Sequence, residues 1–144
     1  MKLTTLFLII TLILTLNINN VKDQPDDFIL SSQTVSSDNN TIVIIYLQSP
    51  IDTTLQAYDI YWQIDKDIQP TSVICGGKYL PNHIQLIGNP DRYIDFITCQ
   101  RRIIAILIFD GEVQFTLDER SNIAIAHTPE SPKITIKNNI QSEV

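Results

Sequence analysis

Four acidic side chains near turns are the first candidates for chemistry: Asp65 and Asp67 at the end of an alternating run, and Asp110 and Glu112 around Gly111. Loop carboxylates that converge with main-chain carbonyls can supply the roughly six to eight oxygens a calcium ion takes. No Asp-x-Asp-x-Asp-Gly run with a closing Glu is present, so a calcium site here needs two distant loops to meet. Catalysis has less to draw on. His83 follows Pro81-Asn82 and His127 precedes Thr128-Pro129, so both read as surface loop residues. There is no Gly-x-Ser-x-Gly elbow for a hydrolase nucleophile, and nothing selects one carboxylate pair for glycoside chemistry. The expectation is a non-enzymatic protein with no cofactor other than such a calcium ion.

Tyr61, Tyr79 and Tyr93 are the candidates for contact with a sugar or a partner protein. Tyr61 leads, because strand alternation places it opposite Trp62, which reads as core, and toward water. Cys75 and Cys99 are the only cysteines. In an oxidising compartment an even pair reads as a disulfide, and closing a loop of this length contributes about 3.5 kcal/mol on the chain-entropy estimate. Two thiols and two histidines in no recognised spacing do not make a zinc site. Asn39-Asn40-Thr41 is the single N-glycosylation acceptor, within the turn-like stretch Ser36 to Asn40.

The elements that must position these residues begin with a leader. Lys2 precedes an apolar run from Leu3 to Leu16, interrupted only by threonines. At ~1.5 Å per helical residue it spans about 21 Å, short of the ~30 Å hydrocarbon core, which matches the apolar region of a signal peptide better than a membrane anchor. The expected organisation is a signal peptide over residues 1–20 cleaved near residues 17–21, a domain over 21–136 and a frayed tail over 137–144. No small-x-small cleavage pattern marks the boundary. Localisation is then secreted or extracellular. The net charge of −6 becomes −7 once Lys2 is removed. An acidic domain repels phosphate backbones and anionic lipid, which argues against nucleic acid and, after leader removal, against membranes as partners.

The mature chain is long enough for one domain with its own core. Short apolar runs bounded by turn residues cover residues 28–35, 41–48, 55–64, 70–75, 84–87, 93–99, 103–109, 113–117, 123–126 and 134–136. They predict an all-β fold, a two-sheet antiparallel β-sandwich of about nine strands. Within 55–64, Tyr58, Ile60, Trp62 and Ile64 share one face, while Asp59, Tyr61 and Gln63 share the other. Residues 42–47 and 103–109 break the pattern because they are apolar on both faces. A sandwich strand has one face to water, so these two need a second cover: a crossing loop, a partner chain or a ligand. With 26 isoleucines against 6 valines and 4 alanines, composition alone is a weak guide, and position carries the argument.

Several segments resemble the cohesin and carbohydrate-binding superfamily of β-sandwiches across residues 28–126. Asp38-Asn39-Asn40-Thr41-Ile42-Val43-Ile44-Ile45-Tyr46-Leu47 is similar to a polar turn feeding a strand. Leu55 to Asp65 resembles the family's small residue, alternating apolars and terminal acid. Residues 68–73 follow where such domains carry a short strand, and Asp110-Gly111-Glu112-Val113-Gln114-Phe115-Thr116-Leu117 resembles its late turn-glycine segment. The chain departs from that pattern in having few glycines and a cysteine pair. The resemblance implies a binding or adhesion module engaging an extracellular protein or glycan. The alternatives are a self-associating structural subunit, a homodimer through the doubly apolar strands, and, third, a secreted hydrolase.

Overall fold

The computed structural model describes residues 3–17 and 27–138. Most of the expected cleavage region and residues 139–144 of the expected tail lie outside the described residues. The chain opens with a helix, α1 (Leu3–Asn17), and continues in eleven strands: β1 (Phe28–Ser37), β2 (Asn40–Gln48), β3 (Thr53–Ile64), β4 (Ser72–Cys75), β5 (Lys78–Leu80), β6 (His83–Leu86), β7 (Ile94–Phe96), β8 (Arg101–Asp110), β9 (Phe115–Leu117), β10 (Asn122–Ile125) and β11 (Ile134–Lys137). One sheet has the order β11-β1-β2-β8-β4, and the other β10-β3-β6-β5 with β7 and β9 also pairing β3. The protein is thus mostly β, built of two packed sheets. Every ladder is antiparallel except β1 with β11, which is parallel.

Local chemistry explains the joints. Asp38 and Asn39 both have positive φ (50° and 64°) between the paired residues Ser37 and Asn40. That is the two-residue hairpin turn whose twist suits right-handed strands, and Asn and Asp tolerate it best after glycine. Thr41, fully buried, donates its hydroxyl to the Gly111 carbonyl (2.8 Å) and accepts from the Val113 N–H (3.1 Å), tying this hairpin to the turn after β8. The core between the sheets takes Val43, Ile45 and Leu47 from β2, Ala105, Leu107 and Phe109 from β8, and Tyr58, Ile60 and Trp62 from β3.

One expectation is corrected. The Cys75–Cys99 disulfide does not form; both thiols are free and half-buried. Cys75 pairs in register with Ala105, while Cys99 precedes Arg101, the first residue of that same strand. The four-residue step from Arg101 to Ala105 spans about 13 Å at ~3.3 Å per residue, and a disulfide needs Cα atoms within ~7 Å. Residues 137 and 138, placed in the tail by the sequence, are held in the fold. Lys137 pairs with Ser31 at the end of β11, and the Asn138 side-chain oxygen accepts from Ser32 Oγ (3.1 Å) in the first sheet and the Leu117 N–H (2.8 Å) in the second.

The doubly apolar strands acquire a cover. Ile42, Ile44 and Tyr46 of β2 with Ile106 and Ile108 of β8 form a second apolar cluster on the outer side of the first sheet. Leu6, Ile9 and Ile10 of α1 pack against it together with Val35 and Ile103. A bulge lets β8 supply both sides: Ile45 faces Ala105 and Tyr46 faces Ile103, so Ile104 is the extra residue and turns inward. No helix among the described residues is long and apolar enough to cross a membrane.

Candidate functional site

The outer face of the second sheet gathers the polar side chains. Alternation along β3 sends Tyr58, Ile60 and Trp62 into the core and leaves Asp59, Tyr61 and Gln63 outside. On one edge of β3, β6 sets His83 opposite Tyr61 and Gln85 opposite Asp59. The other edge is flanked by β10 and by the turn Asp118–Ser121 that leads into it. Ser121 Oγ accepts from the Tyr61 N–H (2.9 Å) and donates to the Tyr61 carbonyl (3.3 Å), so the turn is pinned to the strand at this residue.

The result is a three-group stack. The His83 and Tyr61 rings lie parallel, with centroids 4.0 Å apart and planes 8° from each other. The Arg120 guanidinium sits 4.7 Å from the Tyr61 centroid. Because β6 and the Asp118–Ser121 turn approach β3 from opposite edges, the imidazole and the guanidinium cover opposite faces of the phenol ring. Tyr61 does face outward, as strand alternation requires. Both faces are taken, and its edge is what reaches solvent.

The two outer members of the stack, His83 and Arg120, are each held by a carboxylate. Asp59 Oδ1 is 2.9 Å from His83 Nε2 and accepts from Gln85 Nε2 at 2.9 Å. An ionised carboxylate only accepts, so His83 carries its proton on Nε2. The side chain expected in a loop is therefore strand-borne and 9% exposed. Asp118 accepts from Arg120 Nε and Nη2 (3.1 Å each), from the Arg120 N–H (2.8 Å) and from Gln63 Nε2 (3.1 Å). These donors, led by the Arg120 side chain, bring the Asp118 carboxyl down to about 2 from its ordinary 3.8.

A depressed carboxyl stabilises the folded state above its unfolded value and loses that contribution as pH falls through the folded one. The Asp118–Arg120 clamp is therefore expected to persist below pH 3.8 and to release near pH 2. Carboxyl-carbon NMR of Asp118 checks this, and a midpoint at the ordinary value would show that the clamp does not hold in solution.

Beside the stack lies a shallow depression of about 400 Å³, bordered by Gln63, Thr116, Asp118, Glu119 and Asn138. That volume falls within the ~300–1,000 Å³ of small-ligand sites. Gln63 and Asp118 line the depression, and Asp118, which accepts from Gln63, also clamps the Arg120 end of the stack. The Asp59–His83 pair has the acceptor and imidazole of a Ser-His-Asp arrangement. Tyr61 lies over the imidazole, and the Ser121 hydroxyl bonds the Tyr61 main chain.

The other expected residues go elsewhere. Tyr79 faces inward, stacks on Trp62 with centroids 6.4 Å apart and donates its hydroxyl to Gln69. Tyr93 precedes β7, which pairs with the start of β3 at Leu55, about 20 Å of strand from Tyr61. Asp65 accepts from the Gln114 N–H (2.9 Å), but among the described residues no group of three or more His, Cys, Asp or Glu forms. Asp65, Asp67, Asp110 and Glu112 are therefore not assembled into one ligand set. His127 is exposed in a turn, and Asn39 sits at the exposed tip of the β1–β2 hairpin.

Sequence reading missed Asp59, Gln85, Asp118 and Arg120 as site members. Alternation already placed Asp59 and Gln63 beside Tyr61, and Asp118-Glu119-Arg120-Ser121 carries the turn chemistry of an Asx turn. What joined them was strand pairing. Compared with known proteins, the chain matches no family model, no curated protein and no solved structure.

Proposed function

We propose that this chain is an exported, non-enzymatic binding module that engages an extracellular glycan through the outer face of its second sheet. One observation carries the reading: the Arg120–Tyr61–His83 stack, clamped by Asp118 and Asp59 and bordered by a depression whose lining mixes amides and carboxylates with Thr116, Leu117 and Ile136. Sugar hydroxyls are recognised by side-chain donors and acceptors held in fixed positions. A sheet face supplies those positions without the ordering cost of a loop. A protein partner would meet the same face through its polar groups. A cohesin-like or carbohydrate-binding sandwich remains the family reading this surface suits.

Export rests on the apolar leader and, secondarily, on the acceptor Asn39 at an exposed hairpin tip. The free cysteines lend it no support. The test is retention of the full chain on a printed glycan array. Wild type is expected to bind a restricted set of glycans. Tyr61→Ala removes the centre of the stack and is expected to weaken that binding at least about tenfold, while stability falls by about 1–2 kcal/mol from the lost stacking and cation–π contacts. If the array stays blank, or if a folded Tyr61→Ala chain binds as wild type does, the site is not this face.

A further inference from the structure

The outer face of the first sheet is the one place where the chain breaks the pattern of a sandwich. Ile42, Ile44, Tyr46, Ile106 and Ile108 point away from the core and are at most 8% exposed, with α1 seated over them. Leu6, Ile9 and Ile10 make the contact, one helical stripe at i, i+3 and i+4. Leu3, Phe7 and Leu8 on the other stripe are 62–71% exposed. The helix therefore buries one apolar surface and presents another. It is also the segment that reads as the export leader, and its departure would bare a flat apolar face of the kind a monomer seldom keeps in water.

We infer that this face is a self-recognition surface, on which a second copy of the chain takes the place of α1. The charges at its two ends choose both the partner and its orientation. β8 begins at Arg101, whose guanidinium lies 4.6 Å from the Tyr46 ring centroid on this face. β8 ends at Asp110, which shares the outward parity of Ile106 and Ile108, and Asp38 and Glu112 lie in the adjoining turns. When two such faces pack about a two-fold axis with their β8 strands antiparallel, the basic end of each lies over the acidic end of the other. The apolar centre meets its own copy, as in sheet-on-sheet packing and isologous dimers. Parallel packing would set like charge on like. A neutral lipid surface offers no counterpart to this end-to-end separation.

The inference rests on residues 1–20 leaving the face, and the experiment separates the two. In the full chain, Ile9→Asp with Ile10→Asp places charge against the isoleucine face and lifts α1 without truncation; Ile9→Ala with Ile10→Ala is the milder form. By sedimentation, wild type is expected to be monomeric and the α1-displaced chains dimeric at micromolar concentration. Asp110→Arg, added to them, should weaken the dimer about tenfold by setting arginine on arginine, with the loss reduced in high salt. Monomers from both displaced forms overturn the inference. So does association indifferent to Asp110→Arg, or binding to phosphatidylcholine vesicles in place of dimerisation. Mass spectrometry of the exported chain reads leader removal independently: a retained leader with dimerising displaced variants ends the leader reading and leaves the interface standing.

Discussion

Trp62→Ala should destabilise the fold by about 3–5 kcal/mol, the range for removing a large aromatic from a packed core. Trp62 is 1% exposed, within 5.9 Å of Phe115 and 6.4 Å of Tyr79 by ring centroid, and lies where β9 joins β3. Its neighbour Tyr61 points the other way and should cost far less when cut to alanine. Consecutive substitutions thus separate what holds the module together from what it presents. Trp62→Phe sharpens the test. The indole N–H is buried and has no hydrogen-bond partner among the described residues, so phenylalanine removes an unpaired donor, which partly offsets the lost volume. Denaturant melts of the three variants check this. If Tyr61→Ala costs as much as Trp62→Ala, the outer face is structural and the binding proposal loses its residue.

Gly77→Ala should be almost as damaging, although it adds a single methyl group. A Cβ at Gly77 would lie 2.2 Å from the Gln85 carbonyl oxygen and 2.7 Å from its carbon, both backbone atoms of β6. Backbone cannot rotate away, so β6 must move, and overpacking of this kind costs about 1–3 kcal/mol with this case at the upper end. The position matters because the chain leaves the first sheet at β4 and enters the second at β5 within two residues. Displacing β6 also moves His83 and Gln85 away from Tyr61 and Asp59, so stability and ligand binding should fall together. Gly76→Ala is the control. Nothing lies within 4 Å of its added Cβ, and its effect should stay within about 0.5 kcal/mol. Comparable losses from both glycines would show that β5 and β6 are not held by this close approach.

Much of the sheet structure was legible because strand signals are local. The two-residue period along β3 sorted Trp62 inward and Tyr61 outward, and turn residues bracketed most of the strands. β5 was missed: Lys78–Leu80 is three residues between Gly77 and Pro81, too short for any period to register. His83 was misread for a related reason. Its loop-like neighbours outweighed a pairing with Tyr61 that no local pattern encodes. The candidate site suffered most, since its members come from β3, from β6 and from the turn before β10.

Taken by itself, the sequence determined the β character, the inward and outward sides of β3, the tight turn at Asp38-Asn39, and the need of two apolar strands for a second cover. Each follows from alternation, turn chemistry or hydrophobicity, which act over a few residues. Tertiary structure decided the rest. It matched Cys75 with Ala105 instead of Cys99, enclosed Tyr61 between His83 and Arg120, and laid Leu6, Ile9 and Ile10 over the isoleucine face. These outcomes depend on strand order and register, and register is settled by the summed packing of whole sheets, a quantity no short stretch of residues contains.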